Sequence, residues 1–175
     1  MNKAIFLDKD GVLVDNTGYP QVIPSDKLLH TNILSGLSFL NKRNYLLIII
    51  SNQSWIEKKQ LTTEQAHYFF NSIINQLKKF EVEITDYYFC PHSAKSNCDC
   101  RKPGQRLIQE AVTKHNIDVS QSYFVGDMST DILAGKIAGL KTVLVRTGCG
   151  KEYSGNILPD YVIEDLNKIN EVIER

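Results

Sequence analysis

The stretch Ile5-Phe6-Leu7-Asp8-Lys9-Asp10-Gly11-Val12 decides the fold, because a short apolar run leads directly into two acidic residues and a glycine. A buried parallel strand that ends in carboxylates places them at the carboxyl edge of its sheet, where open α/β folds bind their ligands. One carboxylate of such a pair can attack phosphorus while the other handles a proton, and both can share a divalent cation. The alternative interpretation is a strand followed by an Asx-type turn without a chemical role.

Length and charge limit the class of protein. With 175 residues and 42% hydrophobic residues, the chain is sized for one globular domain that spans residues 1–175. Its 20 basic and 20 acidic residues cancel, so no general field attracts nucleic acid or a membrane surface. The longest apolar run, residues 45–50, is too short to cross a bilayer, and the acids at positions 8 and 10 interrupt any signal-peptide core. The sequence therefore predicts a cytoplasmic protein.

Apolar runs of strand length alternate with helical patterns along the whole chain. Strands are predicted at 5–7, 45–50, 87–90, 122–127 and 142–145, with a candidate sixth at 161–163, and helices at 31–42, 66–80, 105–115, 129–138 and from Leu166. Thr62 and Gln65 have the spacing of a capping box, and Ser129 is the expected cap of the fourth helix. This alternation predicts a three-layer α/β fold, a Rossmann-like parallel sheet with helices on both faces. The turn-rich loop at 16–26 is too short for a cap domain.

Four predicted strand ends carry groups suited to a phosphate and a hard cation: Asp8 with Asp10, Ser51 with Asn52, Arg101 with Lys102, and Asp127. Phosphoryl transfer needs this combination, because its transition state is stabilised mainly by positioning and by charge. Asp131 falls in the first turn of the fourth helix. It is either a structural acid that suits the helix dipole or a residue that supports the metal ligands.

The spacing Cys90-x-His92-x5-Cys98-x-Cys100 supplies three thiols and one imidazole, a ligand set typical of tetrahedral structural zinc. The alternative is a group of buried, unligated cysteines beside a surface histidine. With four protein ligands, zinc has no open position for water, so its expected role is to stiffen the small loop that precedes Arg101 and Lys102.

Taken together, the motifs Asp8-Lys9-Asp10-Gly11, Ser51-Asn52-Gln53-Ser54, the cysteine-rich run through Lys102-Pro103 and Gly126-Asp127-Met128-Ser129-Thr130-Asp131 resemble those of the haloacid-dehalogenase-like phosphatases. The likeness is to the branch that acts on a heptose bisphosphate or on histidinol phosphate. It implies Asp8 as the nucleophile that forms an aspartyl-phosphate, Asp10 as general acid and then base, and Ser51 and Lys102 as stabilisers of the phosphoryl group. It also implies Mg²⁺ held by Asp8, the main-chain carbonyl of Asp10, and Asp127. The substrate-binding residues it implies are Asn16, Thr17, Gly18, Tyr19, Asn52, Gln53, Ser54 and Arg101.

The expected function is that of a Mg²⁺-dependent phosphoric monoester hydrolase, monomeric, with a small sugar phosphate as its partner. The predicted reaction releases the C7 phosphate of D-glycero-D-manno-heptose 1,7-bisphosphate, a step in making nucleotide-heptose precursors of surface polysaccharide. A ligand with two phosphates suits an open cleft in which Arg101, or Lys58 and Lys59 if they turn inward, meets the second anionic end. Histidinol phosphate carries a cation at its far end, which basic residues would repel. A histidinol-phosphate phosphatase and a non-catalytic, zinc-bearing relative remain the alternatives.

Overall fold

The structure, a computed structural model, describes residues 1–15 and 29–173. Its centre is a six-stranded sheet with the order β3-β2-β1-β4-β5-β6, in which every neighbouring pair is parallel. The strands are β1 (Ala4–Leu7), β2 (Leu46–Asn52), β3 (Asp86–Cys90), β4 (Tyr123–Gly126), β5 (Lys141–Val145) and β6 (Tyr161–Ile163). The predicted parallel sheet is confirmed, including its candidate sixth strand.

The helices are α1 (Leu34–Lys42), α2 (Thr63–Lys78), α3 (Arg106–His115), α4 (Ser129–Ile137) and the short α5 (Asn170–Ile173). The predicted capping box of α2 is confirmed, because the Thr62 hydroxyl accepts from the Gln65 N–H at 3.1 Å and the Gln65 side chain accepts from the Thr62 N–H at 2.8 Å. The predicted cap of α4 is wrong. Ser129 is already helical, and the N–H of Met128 donates instead to Asp131 Oδ2 at 3.0 Å. At the C-terminal end, a 3-10 turn at Leu166–Lys168 precedes α5.

Helices cover both faces of the sheet. One face packs the apolar side chains of α1, α2 and α5 against Ile5 and Leu7 of β1, and the other packs α3 and α4 against Ala4 and Phe6. The residues of β1 alternate between these two cores and are all fully buried. A strand buried on both faces reads as a continuous apolar run, and complete burial of one large apolar side chain stabilises the fold by about 1.5–3 kcal/mol. The sequence pattern of β1 thus follows from its central place.

The chain winds from β1 outwards to β3 and then crosses back to place β4 on the other side of β1. The connection that follows β1 therefore leads towards β2, and the connection that follows β4 leads the opposite way, towards β5. Between them a crevice opens at the carboxyl ends of β1 and β4. Such a topological switch point is where open parallel sheets bind ligands.

No helix within residues 1–15 and 29–173 has the length and apolar character needed to span a membrane. Residues 29–173 form the other five strands of the sheet, the flanking helices and the turns between them, without an inserted domain. The predicted loop at 16–26, with the substrate-binding candidates Asn16, Thr17, Gly18 and Tyr19, lies outside the described residues.

Candidate active site

Three aspartates meet at the switch point between β1 and β4. Asp8 follows β1, Asp127 follows β4, and Asp131 projects from the first turn of α4. All three are buried, and a carboxylate oxygen of each lies within 4.8 Å of the others. The N–H of Asp8 donates to the Val125 carbonyl at 3.0 Å, so the end of β1 is locked to β4 directly beside the acids. We call Asp8, Asp127 and Asp131 the carboxylate cluster.

Lys102 supplies the positive charge of this cluster. Its ammonium group donates to Asp8 Oδ1 at 2.7 Å and to the Ile50 carbonyl at 2.8 Å, and it lies 2.8 Å from Asp131 Oδ1. Asn52, at the end of β2, holds the main chain of Lys102 on both sides: its Oδ1 accepts from the Lys102 N–H at 2.9 Å and its Nδ2 donates to the Lys102 carbonyl at 3.3 Å. A residue 94 positions away is thereby aimed at Asp8.

Asp131 is a site residue that sequence reasoning left undecided. Its Oδ2 accepts from the N–H of Met128 at the start of α4, which is the structural role considered for it, and its Oδ1 forms an ion pair with Lys102. Gly126 allows this arrangement, because a Cβ there would lie 2.2 Å from the Cβ of Asp131. The spacing of four residues from Asp127 was the available signal, but only the position of Lys102 reveals the ion pair.

Only one of the two carboxylate oxygens of Asp127 has a hydrogen-bond donor within residues 1–15 and 29–173. Its Oδ2 accepts from the Cys149 N–H at 2.7 Å and lies against the backbone of Gly11 and Gly148. Both glycines have positive φ (+86° and +52°), and a Cβ would lie 2.1 and 2.3 Å from that oxygen. Its other oxygen, Oδ1, is buried without a hydrogen-bond partner among the described residues. Since a buried polar atom rarely stays unpaired, this oxygen indicates a missing ligand.

The charges of the cluster are strongly coupled. Burial raises the pKa of Asp8 well above its usual range; Lys102 opposes this rise, and the neighbouring aspartates add to it. Burial also raises the pKa of Asp127 to about 6. For Lys102, burial alone lowers the pKa, but Asp131 and Asp8 outweigh it and hold the pKa above the ordinary value. Lys102 thus pairs with two of the three carboxylates, Asp8 and Asp131, and its charge also lowers the pKa of Asp127.

The residues present fit a magnesium ion. The excess of buried negative charge and the unpaired Asp127 Oδ1 both call for a cation. Oxygen donors are the ligands that hard divalent cations such as Mg²⁺ prefer. Asp8 and Asp127 are the residues of the cluster that the resemblance implies as ligands, and Lys102 lies within 2.8 Å of one oxygen each of Asp8 and Asp131.

Asp10, the second acid of the opening motif, is held by two neighbours. Its Oδ1 pairs with the buried Lys9 ammonium at 2.5 Å, and its Oδ2 accepts from the Gln53 side chain at 3.3 Å. The same Gln53 amide donates to the Ser51 hydroxyl at 2.8 Å. Ser51 and Gln53 are both buried, so Gln53 links two of the predicted catalytic residues. Its role in binding substrate stays a prediction.

A cleft of about 230 Å³ opens over these groups. Among the predicted site residues, Asp8, Asp10, Asn52, Arg101, Lys102 and Asp127 line it, while Ser54 lies in the turn that follows Gln53. Sequence reasoning did not assign the other lining residues, which are Trp55, Met128, Thr130, Asp131 and Cys149. Trp55, Met128 and Cys149 lie in the connections after β2, β4 and β5, and Thr130 and Asp131 lie in the first turn of α4. Which of these residues reach the cleft depends on how the fold brings the segments together.

The four predicted zinc ligands also meet. An imidazole nitrogen of His92 lies 3.5 Å from the Cys90 sulfur and 3.2 Å from that of Cys100, and the Cys98 sulfur lies 3.7 Å from that of Cys90. Tetrahedral zinc with Zn–S bonds of about 2.3 Å separates two sulfurs by about 3.7 Å, which the Cys90–Cys98 pair matches, whereas the sulfurs of Cys90 and Cys100 lie closer, at 3.0 Å. All four ligand atoms lie within 4.8 Å of one another, and their chemistry fits zinc. The Arg101 guanidinium donates to the His92 carbonyl at 3.2 Å, which ties the loop to the cleft.

Known proteins resemble this chain over its full length. A protein of Haemophilus influenzae named D-glycero-beta-D-manno-heptose-1,7-bisphosphate 7-phosphatase is 34% identical, over 100% of this chain and 98% of its own. The chain belongs to the haloacid-dehalogenase-like hydrolases. A family model described as "HAD-hyrolase-like" matches residues 99–169, which include Arg101, Lys102 and two acids of the carboxylate cluster.

Two further comparisons place this hydrolase among similar proteins. A Haemophilus ducreyi protein with the same printed name is 36% identical over 94% of both chains. The crystal structure of D,D-heptose 1.7-bisphosphate phosphatase from B. bronchiseptica, complexed with magnesium and phosphate, has a TM-score of 0.90 and covers 98% of both chains. Because the B. bronchiseptica protein is only 24% identical in sequence, this comparison shows that the two proteins share a fold and no more.

Proposed function

We propose that this hydrolase releases the C7 phosphate of D-glycero-D-manno-heptose 1,7-bisphosphate and leaves the phosphate at C1 in place. The observation that carries the proposal is the buried Asp8–Lys102 pair at 2.7 Å, at the switch point of the sheet and open to the cleft. A nucleophilic carboxylate beside a fixed cation is the arrangement that phosphoryl transfer requires. The relatives at 34% and 36% identity, whose names carry this activity, support the choice of substrate.

In the first half of the reaction, an Asp8 oxygen forms a bond to phosphorus while the bond from phosphorus to the C7 oxygen breaks. Asp10 gives its proton to that leaving oxygen, so the sugar departs as an alcohol. Lys102 holds Asp8 in place and offsets charge on the transferred group. The Gln53 amide orients Asp10 and donates to Ser51, whose hydroxyl we assign to the phosphoryl group.

In the second half, water attacks the phosphorus of the aspartyl-phosphate and passes a proton to Asp10. The bond between phosphorus and the Asp8 oxygen breaks, which returns Asp8 as a carboxylate and releases inorganic phosphate. Asp8, Asp127 and the main-chain carbonyl of Asp10 are the proposed ligands of Mg²⁺. When bound, this ion offsets the negative charge of the phosphate and of the carboxylate cluster.

We assign zinc to Cys90, His92, Cys98 and Cys100 as a structural ion. The Arg101 contact with the His92 carbonyl supports the view that this metal sets the position of Arg101 at the cleft. Elemental analysis of the purified protein tests it directly. We expect one zinc per chain, and we expect Cys98→Ser to lower zinc retention and phosphatase activity together. A zinc-free protein with full activity would contradict this assignment.

The decisive experiment measures phosphate release in Mg²⁺ from heptose 1,7-bisphosphate, heptose 7-phosphate and histidinol phosphate. We expect the highest kcat/KM with the bisphosphate. Phosphorus NMR should show that the sugar product retains only its anomeric phosphate. A higher kcat/KM with histidinol phosphate would favour the histidine-pathway alternative. Absence of turnover with every substrate would favour the non-catalytic relative. The monomeric state, the cytoplasmic location and the surface-polysaccharide pathway stay predictions.

A further inference from the structure

The segment between β2 and α2, residues 53–61, forms one rim of the cleft, and we call it the rim segment. Its backbone docks on the cysteine–histidine loop, since the N–H of Gln53 donates to the Cys90 carbonyl at 2.7 Å and that of Glu57 donates to the Pro91 carbonyl at 3.2 Å. The Glu57 carboxylate adds two bonds, accepting from the Ser93 N–H and, at 2.5 Å, from the Ser96 hydroxyl. The rim segment is therefore fixed to the loop that carries Arg101.

This docking places an aromatic ring at the cleft. Trp55 lines the cleft beside Arg101 and Asn52, and its carbonyl accepts from the N–H groups of Gln60 and Leu61 at 3.0 and 3.1 Å. The ammonium group of Lys58 lies over the indole, 4.3 Å from the ring centroid. A cation at this distance from an indole is attracted by the ring quadrupole. Trp55 therefore holds the positive charge of Lys58 next to the cleft.

The charges around the cleft explain why this lysine matters. The Lys102 ammonium is shared by Asp8 and Asp131, and Lys9 is buried against Asp10. Glu57 is the acidic residue next to Lys58 in the chain, but its two oxygens are directed at Ser93 and Ser96. Lys58 is exposed and makes no ion pair with a carboxylate in the described parts of the chain. Its charge is therefore available to an anionic ligand, together with that of Arg101.

We propose that Trp55 and Lys58 form the subsite that selects substrates with a second phosphate. The indole packs against the sugar, and Lys58 pairs with the phosphate that is not transferred. This inference rests on the proposed function, because it assigns the second anionic group of the same substrate. It goes further by placing selectivity in a tryptophan–lysine pair of the rim segment rather than in the catalytic groups.

The test compares heptose 1,7-bisphosphate with heptose 7-phosphate, which lacks the second phosphate. We expect Lys58→Gln to raise KM for the bisphosphate by roughly 3–10-fold, as loss of one partly exposed charge contact does, with kcat within about twofold. KM for the 7-phosphate should stay unchanged, and Lys58→Arg should restore the wild-type values, because arginine also stacks on indole. Lys59→Gln, the adjacent exposed lysine, is the matched control and should change neither KM.

A double-mutant cycle tests the role of the ring. We expect Trp55→Ala to raise KM for both substrates and to remove the additional effect of Lys58→Gln, because the lysine is then no longer held over the indole. Circular dichroism and the zinc content show whether each variant is folded. The exposed Lys58→Gln variant tests the subsite even if Trp55→Ala does not fold.

Equal effects of Lys58→Gln on the two substrates, or no effect beyond that of Lys59→Gln, would overturn the subsite while leaving the proposed phosphatase intact. If the wild-type protein releases no phosphate from the bisphosphate, the proposed function is wrong and the subsite falls with it. The two failures are distinguishable, because the first appears only in variants and the second appears in the wild-type chain.

Discussion

Asp86 and Asp127 lie at opposite edges of the sheet, and their surroundings shift the carboxyl pKa in opposite directions. Asp86 begins β3 at the amino edge, and its carboxylate is the centre of a contact group with Tyr88, Lys114 and His115, each 2.8 Å from Oδ2. Burial opposes its ionisation, but the hydrogen bonds from these residues lower its pKa to about 2. Asp127 follows β4 at the carboxyl edge, where burial raises its pKa to about 6.

The difference separates an acid whose two oxygens both have hydrogen-bond donors from one that we propose as a metal ligand. Both carboxylate oxygens of Asp86 accept hydrogen bonds, since the Tyr87 N–H donates to Oδ1 at 2.9 Å. The ionised form of Asp86 is therefore fully hydrogen-bonded within the protein. Asp127 has one donor on Oδ2 and an unpaired, buried Oδ1. A fold that keeps an acid under-satisfied loses stability there, and such sites are usually those that bind or react. The unpaired oxygen is the reason why we propose the carboxylate cluster as the site of a cation.

The largest effect is expected from Asp8, the proposed nucleophile. Asp8→Asn should lower kcat by at least about 10³-fold, because an amide cannot form the covalent intermediate. The measurement is phosphate release at saturating substrate, with circular dichroism as the check on folding. Asp86→Asn, at the other edge, is the matched carboxylate-to-amide control and should keep kcat within about twofold of wild type. Turnover retained in Asp8→Asn would remove Asp8 from the mechanism.

The second prediction compares the lysines of the two regions. Lys102→Met should lower the free energy of unfolding by about 3–5 kcal/mol, because it leaves Asp8 and Asp131 buried without their cation. Lys114→Met removes an ion pair whose lysine is 63% exposed, and should cost about 0–1 kcal/mol. Urea unfolding in magnesium-free buffer measures both. If the two substitutions lowered the free energy of unfolding equally, the carboxylate cluster would not need Lys102 for its stability.

The sequence predicted the parts of this molecule that short spacings define. The apolar run of β1 followed by Asp8 was enough to place the central strand and its acids, and the four predicted zinc ligands lie close together in the chain, at the end of β3 and in the loop that follows it. The ion pair between Lys102 and Asp131 was not predictable, because it joins residues that only the sheet order brings together. Trp55 was not among the predicted site residues for the same reason, because the place of its segment at the cleft depends on the contacts of Glu57 with Pro91 and Ser93.

The third prediction concerns magnesium and pH. Because the folded pKa of Asp127, about 6, exceeds the unfolded value of 3.8, the proton it binds stabilises the metal-free fold at low pH. That stability is fully present below pH about 4 and is lost as the pH rises through about 6, by at most about 3 kcal/mol. Mg²⁺ should therefore raise the melting temperature more at pH 8 than at pH 5, and Asp127→Asn should reduce this response. An equal response at both pH values would contradict it.

The smallest effect is expected at Asp86, with the opposite sign. Its folded pKa of about 2 lies below the unfolded value of 3.8, so its contribution to stability is present above pH about 4 and is lost as the pH falls through about 2. The full pKa shift of Asp86 corresponds to about 2 kcal/mol of unfolding free energy. Solvent screening around the exposed Lys114 reduces this contribution to about 1 kcal/mol.

Asp86→Asn should therefore lower the free energy of unfolding by about 1 kcal/mol at pH 7, and by roughly half as much at pH 3, where the wild-type carboxylate itself becomes protonated when unfolded. Urea titrations of both proteins at the two pH values measure this difference. Mg²⁺ should not change it, because the oxygens of Asp86 already accept from protein donors. A loss that depends on Mg²⁺, or that grows towards low pH, would mean that the two aspartates do not differ in the way their contacts indicate.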